Sequence, residues 1–318
     1  MLISRSAQSG AAGPDFGYFS LNYEMKKQYS RREFLVLSSS ATFAAALPSA
    51  VYAAADVDGL PKIAVQLYTI RNQIAKDLPG SLQKLSSLGI HTVETAFWPK
   101  GVSVKQAAKA IKAAGLKVCS SHIELPVGDN KTVLLETAEA YDCKRMIWHG
   151  WPEDKRYSSV EGTKELIGIY NEAAAFAKTN GLQFGLHNHW WEFRNKVGGR
   201  WVYEWLLEGV SEDIFFELDT YWIKVAGHDP ATIISKYGDR ARYLHMKDGP
   251  AEYNDRLADN PDPMVPLGRG SQNVPAIAKA AKPNIEWMVI EMDVVATDVY
   301  QAIKDSKDYL LQHKFARS

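Results

Sequence analysis

From about residue 60 onward, short apolar runs alternate with longer amphipathic stretches, and the alternation repeats eight times. The apolar runs cover residues 63–68, 92–96, 117–122, 145–149, 183–187, 214–219, 242–247 and 286–291. They have the length and the near-continuous hydrophobicity of strands buried on both faces of a parallel sheet. Between them, residues 78–88, 104–114, 131–141, 160–179, 201–207, 230–237, 274–281 and 298–312 place apolar side chains at helical spacing. Glycine follows four of these stretches, at Gly89, Gly115, Gly181 and Gly238, where a left-handed residue would end a helix. Eight strand–helix pairs without a glycine-rich phosphate fingerprint predict one α/β domain, a closed (β/α)₈ barrel rather than a dinucleotide-binding sheet. The longest irregular stretch, 249–272, is rich in Pro, Gly and Asp and is expected to lie over the barrel mouth as a lid.

The first 55 residues do not follow this rhythm. Arg31-Arg32-Glu33-Phe34-Leu35 precedes an apolar stretch over 36–47 that Ser38, Ser39, Ser40 and Thr42 dilute. Val51-Tyr52-Ala53 and Ala53-Ala54-Ala55 both offer small-residue cleavage sites. Such a segment is too short and too polar to span a bilayer. It resembles a twin-arginine export signal, which assigns 1–55 to an extension plus signal, with Met25 as the expected start, and 56–318 to the catalytic barrel. The expected location is the periplasm, reached by a route that carries folded proteins.

Composition narrows the partners. The chain has 37 basic and 37 acidic side chains, so no field draws it to nucleic acid or an acidic membrane. Nine Trp and fifteen Tyr serve packing first, although aromatic rings also suit the faces of sugars. Cys119 and Cys143 read as small buried thiols, since their spacing does not define a disulfide. The oligomeric state stays open, and a homo-oligomer is compatible with the sequence.

The strands share a chemical feature at their C-terminal ends, where the active site of such a barrel lies. These ends carry Gln66 and Tyr68, Glu94, His122, His149, His187 to His189, Asp219, His245 with Lys247, and Glu291 with Asp293. Side chains alternate along a strand, so Glu217 and Asp219 share a face, as do His245 and Lys247. His187, Asp219, His245 and Glu291 make a candidate site for one divalent ion: Mn²⁺ first, with Co²⁺, Fe²⁺, Mg²⁺ or Zn²⁺ as alternatives. Such an ion would polarise adjacent sugar oxygens and stabilise an enediolate. Lys247 is a candidate oxyanion stabiliser, or else an ion-pair partner of Asp248 or Glu217. His122 and His149 are expected to contact substrate hydroxyls, and Glu94 to touch substrate or to orient a neighbouring His or Lys.

Six segments in order carry a family resemblance. They are Val65-Gln66-Leu67-Tyr68-Thr69-Ile70-Arg71, His187-Asn188-His189-Trp190-Trp191-Glu192-Phe193, Leu218-Asp219-Thr220-Tyr221-Trp222, Leu244-His245-Met246-Lys247-Asp248, Gly268-Arg269-Gly270 and Ile290-Glu291-Met292-Asp293. The chain resembles the sugar phosphate isomerase/epimerase family with the xylose isomerase-like TIM barrel. The resemblance implies a metal held from strands five to eight, with Asp219, His245 and Glu291 at ligand positions and Glu291 also as a catalytic base. It places Gln66, Tyr68, Trp222 and Arg269 among the substrate contacts. Ketose 3-epimerases of this superfamily carry a Glu on the fifth strand, where this chain has His187, with Glu192 a weaker candidate ligand. The second acid/base then falls to His189 or Lys247, or the reaction needs only one. The expected activity is isomerisation or epimerisation of an unphosphorylated sugar or keto-sugar. The alternatives are a lyase acting on 3-keto-glycosides and a non-catalytic sugar-binding barrel.

Overall fold

The computed structural model describes residues 59–259 and 261–318; the export signal and start site expected within 1–55 lie outside the described residues. Asp58–Ser318 forms one compact unit. Eight strands close a ring: β1 (Lys62–Gln66), β2 (Thr92–Thr95), β3 (Lys117–Ile123), β4 (Arg145–Trp148), β5 (Gln183–His187), β6 (Phe215–Asp219), β7 (Ala241–Met246) and β8 (Trp287–Ile290). Every neighbour is parallel, and β1 pairs with both β2 and β8. The principal helices that return the chain are α1 (Leu78–Ser87), α2 (Val104–Ala113), α3 (Asn130–Tyr141), α4 (Val160–Thr179), α5 (Val202–Gly209), α6 (Pro230–Tyr237), α7 (Val274–Ala280) and α8 (Val299–Gln312). The alternation read from the sequence thus corresponds to the elements, with ends displaced by a residue or two.

Local chemistry explains the helix starts. Asp77, Ser103, Ser159, Asp229, Asn273 and Asp298 each accept a hydrogen bond from a backbone N–H in the first turn of the helix that follows. The helix ends agree with expectation at Gly89, Gly115 and Gly181, which have positive φ. Gly238 differs: its φ is −74°, because α6 runs on into a 3₁₀ turn over Gly238–Arg240 instead of closing in a left-handed cap.

The strands sort their side chains by face. Val65, Val93, Met146, Phe184, Leu186, Phe216, Leu218, Leu244, Met288 and Ile290 belong to the large core packed beneath the helices. Ala64, Ile147, Phe215, Tyr243 and Val289 form a separate apolar cluster inside the ring. Gly185 makes this interior possible, since a Cβ there would sit 2.5 Å from the Phe215 ring. Both cysteines are free thiols. Among the described residues, no helix is long and apolar enough to cross a membrane.

The segment after β7, expected as a lid, is tied down. Buried Asp248 accepts hydrogen bonds from the backbone N–H groups of Gly249, Gly268, Gly270 and Gln272 at 2.9–3.1 Å. Ala251 N–H donates to Tyr221 Oη, and Met264 bridges to Val295 beyond β8. One carboxylate therefore organises both ends of the loop.

Candidate functional site

Above the apolar cluster the interior turns polar. Gln66 of β1 and Glu94 of β2 are partners in register, and Gln66 Nε2 donates to Glu94 Oε1 at 2.7 Å. Ser120 of β3 donates to the other oxygen of Glu94. Glu94 Oε1 also lies 2.7 Å from His245 Nε2 and 3.2 Å from His122 Nε2. On β6, Glu217 Oε2 lies 2.6 Å from His122 Nε2 and 3.0 Å from His187 Nδ1, while its Oε1 is 3.2 Å from His245 Nε2. Burial, reinforced by the nearby Glu217 charge, pushes the Glu94 carboxyl above its ordinary range. Glu94 and Glu217 thus form a floor that takes one ring nitrogen from each of three histidines.

The opposite nitrogens of two of these histidines face a second cluster. Asp219, His245 and Glu291 place ligand atoms within 4.8 Å of one another. His245 Nδ1 is 2.6 Å from Glu291 Oε2 and 3.9 Å from Asp219 Oδ2, and His187 Nε2 is also 3.9 Å from Asp219 Oδ2. Asp219 caps a short helix, Thr220–Val225, by accepting from the N–H groups of Tyr221 and Trp222 on Oδ1. That leaves Oδ2 turned into the cluster. Lys247 Nζ lies 2.9 Å from Asp219 Oδ2, 2.9 Å from Glu291 Oε2 and 2.8 Å from Asp293 Oδ2. The lysine therefore pairs with three carboxylates, and neither Asp248 nor Glu217 is its partner.

The electrostatics follow from this crowding. Burial pushes Asp219 up to about 6, although Lys247 and His245 oppose the rise. For Glu291 burial is overcome by Lys247 and His245, which hold its carboxyl well below the usual range. Lys247 is held well above its ordinary value, burial being outweighed by Asp219, Asp293 and Glu291. Burial, with His245 and His189 adding to it, keeps His187 well below its ordinary value. His187 is thus a neutral imidazole, the form that binds metals.

These residues fit a divalent cation. Asp219 Oδ2 and His245 Nδ1 are buried and make no directed hydrogen bond, despite their ionic neighbours. One imidazole nitrogen and two carboxylate oxygens lie together, with His187 Nε2 at their edge 3.9 Å from Asp219 Oδ2, a donor set that suits Mn²⁺, Fe²⁺, Co²⁺ or Zn²⁺. The histidine nitrogens that face away rest on Glu217 and Glu94, the outer arrangement that orients metal-binding imidazoles. His122, His187, Glu217 and His245 also lie within 4.8 Å of one another, but there Glu217 already occupies the facing nitrogens of His122 and His187.

The other expected residues divide into three places. Gln66 and Glu94 are fully buried in the floor, where they hold His245 instead of facing solvent. His122, expected to contact substrate, instead gives its Nε2 to Glu217 in the floor; His149 packs on Phe97 and Trp148, and Tyr68 lies under the Arg71 guanidinium. His189 and Trp222 stand beside the cluster, the His189 ring 5.1 Å from that of His187. His189 stacks on Trp191 at 4.5 Å, and burial together with Lys247 keeps it well below its ordinary value. Its Nδ1 is unpartnered, as is the buried Trp222 Nε1. Lys247 Nζ lies 5.2 Å from the Trp222 ring. Arg269 is not brought to the cluster: its largely exposed guanidinium pairs with Asp305 on α8. Glu192 turns to the His189 N–H and the Trp191 indole, away from any ligand position. Glu217 and Asp293 contribute although the sequence points to neither as a ligand or base. Their signal is the two-residue spacing, Glu217 before Asp219 on β6 and Asp293 after Glu291 beyond β8.

The family described as Xylose isomerase-like TIM barrel matches residues 82–313. The chain belongs to this family. No curated protein matches it. Among solved structures, a sugar phosphate isomerase/epimerase from Parabacteroides distasonis superposes with a TM-score of 0.67 at 24% identity, covering 81% of this chain and 100% of the other. A D-allulose 3-epimerase from Methylomonas sp. gives 0.56 at 14% identity, over 80% and 98%. A probable 3-DHS dehydratase from Bacillus anthracis gives 0.61 at 14%, over 79% and 98%. At these identities the likeness carries the barrel, and its chemistry has to be argued from the residues.

Proposed function

We propose that this barrel is a divalent-metal-dependent isomerase or epimerase acting on an unphosphorylated sugar or keto-sugar. The observation that carries the reading is the Asp219–His245–Glu291 cluster with the Lys247 ammonium against it. His187, Asp219, His245 and Glu291 would hold the ion. When bound, it supplies Lewis-acid polarisation of a substrate carbonyl, which acidifies the adjacent C–H.

The chain's own groups supply the rest. Lys247 and His245 keep Glu291 ionised, and it would act as the base toward carbon once substrate and ion engage those two neighbours. Lys247 stays charged beside it and can stabilise the developing oxyanion. His189, neutral and with Nδ1 unpartnered, can accept or return a proton on another side of the substrate. The unphosphorylated substrate is favoured because the cluster's ammonium is already matched by three carboxylates. Export through the twin-arginine signal proposed from Arg31-Arg32 points the same way.

A lyase cleaving keto-glycosides remains the second reading, favoured by one feature. His187 stands on β5 where a second carboxylate would complete a two-base epimerase, and proton abstraction followed by loss of a leaving group needs one base only. Candidate keto-sugars and their glycosides, incubated with protein and Mn²⁺ in D₂O and freed of the ion before NMR, separate the two. Deuterium next to the carbonyl without bond cleavage supports isomerisation, and release of the aglycone supports the lyase. No exchange in any sugar would count against both.

A further inference from the structure

The mouth has a second half that the cation cluster does not use. Ligand candidates come from β5 to β8, whereas Phe97, Glu124 and His149 follow β2, β3 and β4. Phe97 is 41% exposed and packs edge to face on His149 with ring centroids 4.8 Å apart. An exposed ring alone would need no explanation. The polar groups beside it do.

His149 is 6% exposed, and its Nδ1 accepts the Trp151 N–H at 3.1 Å. A nitrogen that accepts carries no proton, so the neutral ring bears its hydrogen on Nε2. That Nε2–H is buried and makes no directed hydrogen bond. Glu124 Oε1 stands 3.4 Å from it, on a side chain that is 56% exposed. The buried donor thus has one long, poorly directed contact to a half-solvated carboxylate, beside an open aromatic face.

We propose that Phe97, Glu124 and His149 form a distal subsite for a second sugar ring, so that the substrate is a glycoside or disaccharide instead of a lone monosaccharide. The proposal rests on the reading of the barrel mouth as a sugar site. A pyranose offers an apolar C–H face to Phe97. Its hydroxyls both donate and accept, which satisfies Glu124 and the His149 Nε2–H together. A purely apolar aglycone would use the ring and leave the two polar groups with only their long contact to each other.

The test is binding, read apart from turnover. Mg²⁺-loaded wild type, Phe97→Ala and Glu124→Gln are titrated with D-glucose, D-fructose, maltose, cellobiose, trehalose and sucrose by saturation-transfer NMR. Both substituted side chains are largely exposed, and circular dichroism checks that each variant folds. At least one disaccharide should bind the wild type about tenfold more tightly than either monosaccharide. Each substitution should remove most of that advantage and leave monosaccharide binding unchanged. Disaccharides that bind no better than glucose, or an advantage that survives both substitutions, would overturn the subsite while sparing the sugar site. Absence of binding by every probe would overturn the sugar reading itself, and this subsite with it.

Discussion

Lys247 brings one ammonium within 2.9 Å of three carboxylates, with its side chain 1% exposed. Removing one partner of such a buried group leaves uncompensated charge, which costs about 3–5 kcal/mol. Lys247→Met should therefore lose roughly that much stability in a urea titration with chelator present. Mn²⁺ should restore part of it, because a dication can neutralise Asp219 and Glu291 in the lysine's place. A variant as stable as wild type in chelator would show that the three contacts carry no net charge compensation. Glu192 makes a separate case. Burial pushes its carboxyl up to about 8, against the bonds from the His189 N–H and the Trp191 indole. The native state holds this proton more tightly than the unfolded chain does. Its contribution to stability is thus complete below about pH 4.5, falls by up to about 1.4 kcal/mol per unit as pH rises toward 8, and is level beyond. Urea midpoints between pH 5 and 8.5 should fall more steeply for wild type than for Glu192→Gln; parallel profiles would refute the protonated carboxyl.

Among the elements, β5 and β6 are fitted to each other through Gly185 and Phe215. A Cβ at residue 185 would meet the ring at 2.5 Å, so Gly185→Ala should cost about 1–3 kcal/mol as an overpacked core. The double variant Gly185→Ala/Phe215→Leu should recover much of the loss, and a double variant no better than the single one would mean that the ring is not the obstacle. The same strands mark what could be read in advance. Apolar runs ending on His187, Asp219, His245 and Glu291 were visible because alternation and strand ends are local properties. That Glu217 meets both His122 and His187 was not, since it depends on register across strands, and the β6–β7 ladder shifts between Phe216 and Glu217. The partners of Lys247 were misjudged for a similar reason. Asp248 is next to it in sequence but spends its oxygens on four loop N–H groups, while Asp219 and Asp293 arrive from neighbouring strand ends. Arg269 sat in a recognisable segment, yet the turn that carries it faces α8.

For the whole barrel, the two ends of the interior have opposite character. Ala64, Ile147, Phe215, Tyr243 and Val289 fill one end, whereas Glu94, Glu217, Asp219, His245, Lys247 and Glu291 are all buried toward the other. A well-packed apolar interior would avoid the desolvation that these charges suffer, so the polar end is retained at a cost to stability. A cation that binds only the native cluster returns part of that cost by mass action. At a free concentration a thousandfold above its Kd, the gain is about 4.1 kcal/mol. For a barrel of this size the Tm should rise by roughly 7–8 °C. Elemental analysis of protein purified without added metal should find close to one divalent ion per chain. Chelator should lower the Tm of that protein, and Asp219→Ala or His245→Ala should lose both the ion and the response. Glu217→Gln discriminates further, because it leaves the proposed ligand atoms in place and disturbs only the support behind His122, His187 and His245. It should weaken metal binding about 10–100-fold without abolishing it. Complete loss of the ion in Glu217→Gln would place Glu217 among the ligands and move the centre toward His122, while an unchanged Tm across chelator and Mn²⁺ in the wild type would remove the metal altogether.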